Sequence, residues 1–389
     1  MSLVLSLPDE HGRAAAYALR GNPIKPPAGP HRFNRVAFSA AHVVADPFSS
    51  LEPSLETTID WSKTISFRRS LLDLGLGIAE AMDTAQRGGG LDWPSALELI
   101  SQSLAAASPL ERDRIFSGVG TDHLSSHDAR TIDDVVRAYA EQIEAVQALG
   151  GRIIVMASRA LARVASNAED YRVVYRRVLS LCDKPVILHW LGDMFDPALK
   201  GYWGSDAFSS TLETALDVIE ANVGKVDGIK ISLLDAEKEI TMRRRLPAGV
   251  KMYTGDDFNY AELIKGDKQG HSHALLGIFD PIAAAASAAL SALARDDVDT
   301  FDRLLAPTVP LSRLIFRAPT QYYKTGVVFL AYLNGHQDHF VMLAGAQSMR
   351  PLPYFTGVFR LADNAGLLSD PELAVSRMRK FLALHGFET

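Results

Sequence analysis

The chain has 389 residues, 47% hydrophobic and 22% charged, enough to bury one large core or two smaller ones without covalent staples. Its 40 basic and 46 acidic residues leave a net charge of −6 with no basic tract, which disfavours a phosphate-tracking nucleic-acid surface. Cys182 is the single cysteine, so an intramolecular disulfide and a cysteine-built zinc site are excluded and a reducing interior is expected. Asp9, Glu10, His11 and Arg13 follow a short apolar opening that lacks the basic start and small-residue cleavage site of a signal peptide. No run reaches the roughly 18 apolar residues of a membrane helix. A cytoplasmic protein without membrane or nucleic-acid partners is the expectation.

Residues 1–33 contain Pro23, Pro26, Pro27, Gly29 and Pro30, which rule out a continuous helix or central strand and predict a surface arm. Short β-rich runs then alternate with helical patterns, the strands falling at 35–41, 76–82, 114–119, 152–157, 185–190, 226–231, 250–254 and 273–279. Such alternation marks parallel βα units. These strands, spread over about 250 residues, predict a TIM (β/α)8 barrel spanning 34–295. Residues 126–149 place Ile132, Val135, Val136, Tyr139, Ile143, Val146 and Leu149 at helical spacing and stop at Gly150-Gly151. Segments 169–181 and 209–223 repeat that pattern, Cys182 between them reads as a packing residue, and 281–295 is an alanine-rich helix suited to close packing. Beyond Asp296 the strand signals stop, and 298–305, 322–333 and 371–384 predict a helical C-terminal extension over 296–389.

In a β/α barrel, side chains at the C-terminal strand ends converge on one pocket. Here they are Glu80, Asp83, Thr84, Gly120, Thr121, Ser158, His189, Asp193, Lys230, Thr254, Asp256 and Asp257. Lys230 closes the apolar run Val226-Asp227-Gly228-Ile229-Lys230. A lysine in a largely apolar barrel mouth loses its proton near neutrality, because desolvation penalises the ammonium, and the free amine attacks a carbonyl carbon. The bland alternative is a salt-bridged lysine at a strand terminus.

From Pro185 onward the chain resembles the dihydrodipicolinate synthase and N-acetylneuraminate lyase superfamily. Lys184-Pro185-Val186-Ile187-Leu188 looks like its fifth strand, Gly228-Ile229-Lys230 like its sixth with the Schiff-base lysine, and Tyr253-Thr254-Gly255-Asp256-Asp257 like its seventh. Phe316-Arg317-Ala318-Pro319, Tyr322-Tyr323-Lys324 and Met349-Arg350-Pro351-Leu352-Pro353 resemble parts of its helical tail. The ordered series covers about half of the chain. The resemblance implies one barrel with a helical tail, a homo-oligomer (dimer or tetramer), and an imine between Lys230 and a 2-keto acid or keto-sugar acid, without nicotinamide, flavin or pyridoxal cofactor. That is a class I aldolase or lyase.

The departures from that family bear on the site. His189-Trp190-Leu191-Gly192 stands where the family has the tyrosine of Tyr-Asn-x-Pro, which makes His189 the candidate acid/base. Its alternative is a strand histidine bonded to a backbone carbonyl. After strand two, Glu80-Ala81-Met82-Asp83-Thr84 and Gly88-Gly89-Gly90 replace the carboxylate-binding Gly-Thr-Thr-Gly-Glu turn, and two acids there would repel a free carboxylate. The paired tyrosines after strand four are missing, and Arg159 and Arg163 are alternatives for meeting an acidic substrate. Asp83, Thr84, Asp193, Thr254, Asp256 and Asp257 are substrate-binding candidates, one of the last two being expected to cap the helix that follows. The loop 192–204, with its aromatics, would stack on a sugar-like substrate or cover the barrel mouth.

Two other classes fit the residues. Glu80, Asp83, His189 and Asp193 would serve a divalent metal in a barrel lyase or isomerase. A non-catalytic keto-acid or sugar binder would use the same fold without chemistry. The pairs His271 with His273 and His336 with His339 read as structural, since neither falls at the C-terminal end of a barrel strand.

Overall fold

The computed structural model describes residues 3–9, 11–26, 29, 31–52 and 55–387; Glu10, Pro27 and Pro30 of the sequence reading lie outside them. Two hairpin strands come first, β1 (Val4–Pro8) and β2 (Ala14–Ala18). The barrel strands follow: β3 (Ala37–Ala40), β4 (Gly77–Glu80), β5 (Ile115–Val119), β6 (Arg152–Val155), β7 (Val186–Leu191), β8 (Val226–Ser232), β9 (Lys251–Thr254) and β10 (His273–Leu276). They form a closed parallel barrel in the order β10-β3-β4-β5-β6-β7-β8-β9. The chain is therefore a TIM (β/α)8 barrel, with each expected strand found within a few residues of its place. Strands such as Ile115–Val119 are buried along their whole length, because a parallel sheet is covered on both faces and alternation disappears.

Spatial proximity of backbone atoms groups the chain into two compact units. One comprises Arg35–Ala41 and Gly77–Leu276; the other comprises Met1–Asn34, His42–Leu76 and Gly277–Thr389. The barrel belongs to the first unit. Its interior is filled by Phe38, Ala40, Ala79, Phe116, Ile154, Ile187, Tyr253 and Leu275, a packed core from every strand but β8, whose Gly228 leaves room for the Tyr253 ring. A Cβ at Gly228 would lie 2.6 Å from that ring.

One helix starts later than its apolar spacing predicts. The helix expected from 126 runs Ile132–Ala148, because Thr131 and Asp134 form a reciprocal cap: the Asp134 carboxylate accepts from the Thr131 backbone N–H at 2.8 Å, and the Thr131 hydroxyl accepts from the Asp134 N–H at 3.3 Å. Residues 121–130 are thereby released as a loop beyond β5.

In the second unit the expected arm contains the antiparallel pair β1 and β2, in which Leu5 faces Tyr17. The Tyr17 hydroxyl donates to Asp363 at 2.7 Å, and the same carboxylate accepts from the backbone N–H of Arg20 and Gly21. A side chain at Gly21 would strike the Asp363 carbonyl oxygen at 2.1 Å, so that approach requires glycine. The helices Trp61–Asp73, Ala283–Leu293, Val298–Leu305, Val309–Ile315, Tyr323–Leu333, Leu352–Asn364 and Pro371–Leu384 belong to this unit. The buried Arg350 guanidinium donates to the carbonyls of Arg317, Ala318 and Pro319, joining two of the segments that resemble the family tail.

Candidate active site

Lys230 and His189 are direct neighbours across β7 and β8, and Lys230 is also in register with Tyr253 on β9. Register partners on adjacent strands share a face, and Tyr253 belongs to the barrel interior, so Lys230 and His189 point inward. Gly228 and Ser232 lie on the same face of β8, two residues either side of Lys230. His189 Nε2 is 3.4 Å from the Ser232 hydroxyl.

Lys230 is 8% exposed and makes no hydrogen bond or ion pair among the described residues. Burial holds its pKa below the ordinary lysine value, and the acids Asp257 and Asp83 pull the other way. His189 is 1% exposed, and burial together with the neighbouring Lys230 holds its pKa well below the ordinary value, so at neutral pH it is an uncharged imidazole able to accept a proton. Gly255 permits this geometry. A Cβ there would lie 2.2 Å from the Ser232 hydroxyl and 2.7 Å from Lys230 Cε, which no side chain can occupy.

Next to this pair is a cavity of about 300 Å³, lined among others by His189, Asp83, Thr121 and Arg159; Lys230 is adjacent to His189 rather than on the wall. Its far side is built by a polar network. Arg87 donates to Asp122 from Nε at 2.6 Å and from Nη2 at 2.8 Å, to Gln142 at 2.8 Å, and to the carbonyls of Ala81 and Gly118 at 3.2 Å. Gln142 accepts the Gly120 N–H at 2.7 Å, which fixes the end of β5. The Thr121 and Ser158 hydroxyls are 2.6 Å apart, and the Ser158 N–H donates to Tyr202, whose hydroxyl meets Tyr175.

The expected residues divide. Asp256 accepts from the backbone N–H of Phe258 and Asn259 and from the Asn259 side chain, so it is the acid that shapes the turn before the helix Tyr260–Lys265. Asp257 is the one whose field reaches Lys230. Thr254 alternates with Tyr253 and faces away from the barrel interior, beside Glu239 of the helix Ala236–Arg243. Asp193 is exposed and lines a different, smaller cavity of about 160 Å³. Thr84 is buried in the short turn Asp83–Ala85.

Glu80 accepts from the Ala81 N–H at 2.9 Å and from Ser103 at 2.6 Å, away from the interior face that Ala79 occupies. Among the described residues no three His, Cys, Asp or Glu side chains are placed to hold a metal, so Glu80, Asp83, His189 and Asp193 do not assemble as a ligand set. His273 accepts the Val36 N–H at 3.0 Å, and His339 accepts the Val341 N–H at 3.2 Å, both as backbone partners. Tyr202 and Trp203 of the aromatic loop pack against Tyr171 and Tyr175, which spends their faces on the core rather than on a ligand.

Sequence reasoning did not single out Arg87, Asp122 or Gln142, because only the fold brings residues up to 55 positions apart together. Nor did it single out Gly255 as a spacer or Glu239 as a buried acid. In the second unit, His42 Nδ1 lies 2.8 Å from Asp280, and His42 Nε2 has no hydrogen-bond partner among the described residues.

Solved structures share this architecture. A dihydrodipicolinate synthase from Aquifex aeolicus aligns with a TM-score of 0.64 at 11% identity, over 86% of this chain and 99% of its own. The chloride-inhibited dihydrodipicolinate synthase from Acinetobacter baumannii, complexed with pyruvate, aligns at 0.62 and 16% identity over 86% and 99%. The enzyme from Bacillus clausii aligns at 0.62 and 15% over 84% and 96%. At such identities the likeness concerns the fold, and no curated protein sequence matches the chain. Residues 5–387 match one family throughout. The chain thus belongs to the family DUF993, described as a protein of unknown function, on a barrel of the dihydrodipicolinate synthase type.

Proposed function

We propose that this protein is a Schiff-base carbon–carbon lyase of the class I aldolase type, acting on a small carbonyl compound without nicotinamide, flavin or pyridoxal. The observation that carries this reading is Lys230: an inward-facing, 8% exposed amine, beside a neutral imidazole, without a salt-bridge partner among the described residues. Desolvation raises the fraction of free amine at neutral pH, and the unpaired geometry leaves its lone pair available.

In the reaction, Lys230 Nζ bonds to the carbonyl carbon and the carbonyl oxygen leaves as water, giving an iminium. His189 accepts the proton of the β-hydroxyl as the Cα–Cβ bond breaks. The bonding pair flows into the iminium to form an enamine, and an aldehyde departs. Protonation of Cα and addition of water then release the shortened ketone and restore the amine. The electron sink stabilises the carbanionic transition state, which is where catalysis resides.

The test is reductive trapping. Wild-type protein incubated with a mixture of keto acids, hydroxyketones and aldehydes, then treated with borohydride, is expected to gain one adduct mapped by peptide mass to Lys230. Lys230→Met is expected to gain none. Trapping spread over surface lysines, or equal in the variant, removes the proposal.

A further inference from the structure

The relatives' chemistry leads one to expect a 2-keto acid, and the charge arrangement beside Lys230 argues otherwise. A substrate carboxylate needs a cation or several free N–H donors, since an uncompensated charge in a partly buried site is costly. Two cationic side chains reach the cavity, Arg87 and Arg159. Arg87 has used all five of its N–H donors on Asp122, Gln142 and two carbonyls, so none remains for a ligand. Arg159, half-exposed at the rim, gives its Nε–H to Asp196 at 2.5 Å, which offsets its charge.

In the turn after β4 four backbone N–H groups are already held. Ala81 N–H is held by Glu80, Ala85 N–H and Arg87 N–H by the Met82 carbonyl, and Gln86 N–H by the Asp83 carbonyl. The charges that do face Lys230 are the acids Asp83 and Asp257, and Asp83 also lines the cavity. The Asp83 carboxylate, with the Thr121 and Ser125 hydroxyls of the wall, suits a ligand rich in O–H donors. About 300 Å³ is at the small end of ligand sites and fits a monosaccharide-sized molecule.

We propose that the compound condensing with Lys230 is an uncharged polyhydroxy ketone rather than a 2-keto acid. This rests on the Schiff-base reading above. Its iminium places one positive charge opposite Asp83 and Asp257, where the carboxylate of a keto acid would add a third negative charge. The bonds made and broken are those already given, with the hydroxyl of the carbon next to the iminium carbon's neighbour giving its proton to His189 and the aldehyde leaving as a neutral sugar fragment.

The experiment measures rates of Lys230 adduct formation under cyanoborohydride, by intact mass and peptide mapping, for dihydroxyacetone and hydroxyacetone against pyruvate, each divided by its rate with N-α-acetyl-lysine. The neutral ketones are expected to be favoured at least tenfold, and Asp83→Asn is expected to narrow that ratio by raising the pyruvate rate. Faster labelling of Lys230 by pyruvate overturns this inference and leaves the Schiff-base reading standing. Absence of Lys230 labelling by every compound overturns both.

Discussion

Replacing Gly255 by alanine should disable the amine without touching it. The added Cβ would sit 2.7 Å from Lys230 Cε, 2.2 Å from the Ser232 hydroxyl and 2.8 Å from the Ile231 carbonyl oxygen. Carbon–carbon contacts settle at about 3.5–4.0 Å, so the lysine chain has to retreat by about 1 Å. A displacement of that size costs on the order of 10²-fold in a reaction that depends on alignment. The accompanying overpacking costs about 1–3 kcal/mol of stability, which leaves a domain of this size folded. The assay is the rate of Lys230 trapping with dihydroxyacetone and, in parallel, with pyruvate, alongside thermal unfolding. Ser232→Ala combined with Gly255→Ala removes the tightest clash and should recover part of the rate. A folded Gly255→Ala protein that traps both compounds at the wild-type rate would refute the idea that this gap positions the nucleophile.

His189→Asn should keep imine trapping and lose aldehyde release by roughly 10²–10⁴-fold, the usual worth of a general base; equal loss of both steps would assign His189 to packing. Because burial and Lys230 hold the His189 pKa well below its ordinary value, the pH–rate profile of the wild type should show no ionisation near 6.5, as read from rates between pH 5.5 and 8. Lys230 has a folded pKa below its unfolded one, so the unfolded chain binds more protons and stability rises with pH through that window; Lys230→Met should be more stable than wild type at neutral pH by urea unfolding. Glu239 behaves oppositely: burial raises its pKa from 4.5 to about 8, so it destabilises the fold progressively as pH rises from 4.5 to about 8. At about 1.4 kcal/mol per unit, Glu239→Gln should gain on the order of a few kcal/mol at pH 8 and little at pH 4.5, and a gain independent of pH would contradict the burial argument.

The barrel was legible because each parallel strand is a short apolar run bounded by turn residues, a signal that tertiary packing reinforces rather than overrides. Lys230 and His189 were legible from their place at the ends of two such runs, and registry then made them neighbours. The hairpin was not, since Ala14–Ala18 lacks the β-branched residues that announce a strand and is followed by prolines. Neither Asp256 nor Asp257 takes the expected role of helix cap, a position held by Asn259; Asp256 instead closes the preceding turn, because that turn places Phe258 and Asn259 over its carboxylate. Thr254 read as a pocket residue because strand ends are ambiguous by one position, and one position reverses the face. The Arg87–Asp122–Gln142 network, which occupies the Arg87 donors, has no local signature at all.

Asp363 holds Tyr17, Arg20 and Gly21 across as many as 346 positions. During synthesis, these bonds to the hairpin therefore wait until Asp363 has left the ribosome. Nascent chains shorter than that should leave the hairpin open to proteases, and a carboxy-terminal deletion that removes Asp363 should expose the opposite end of the molecule to cleavage.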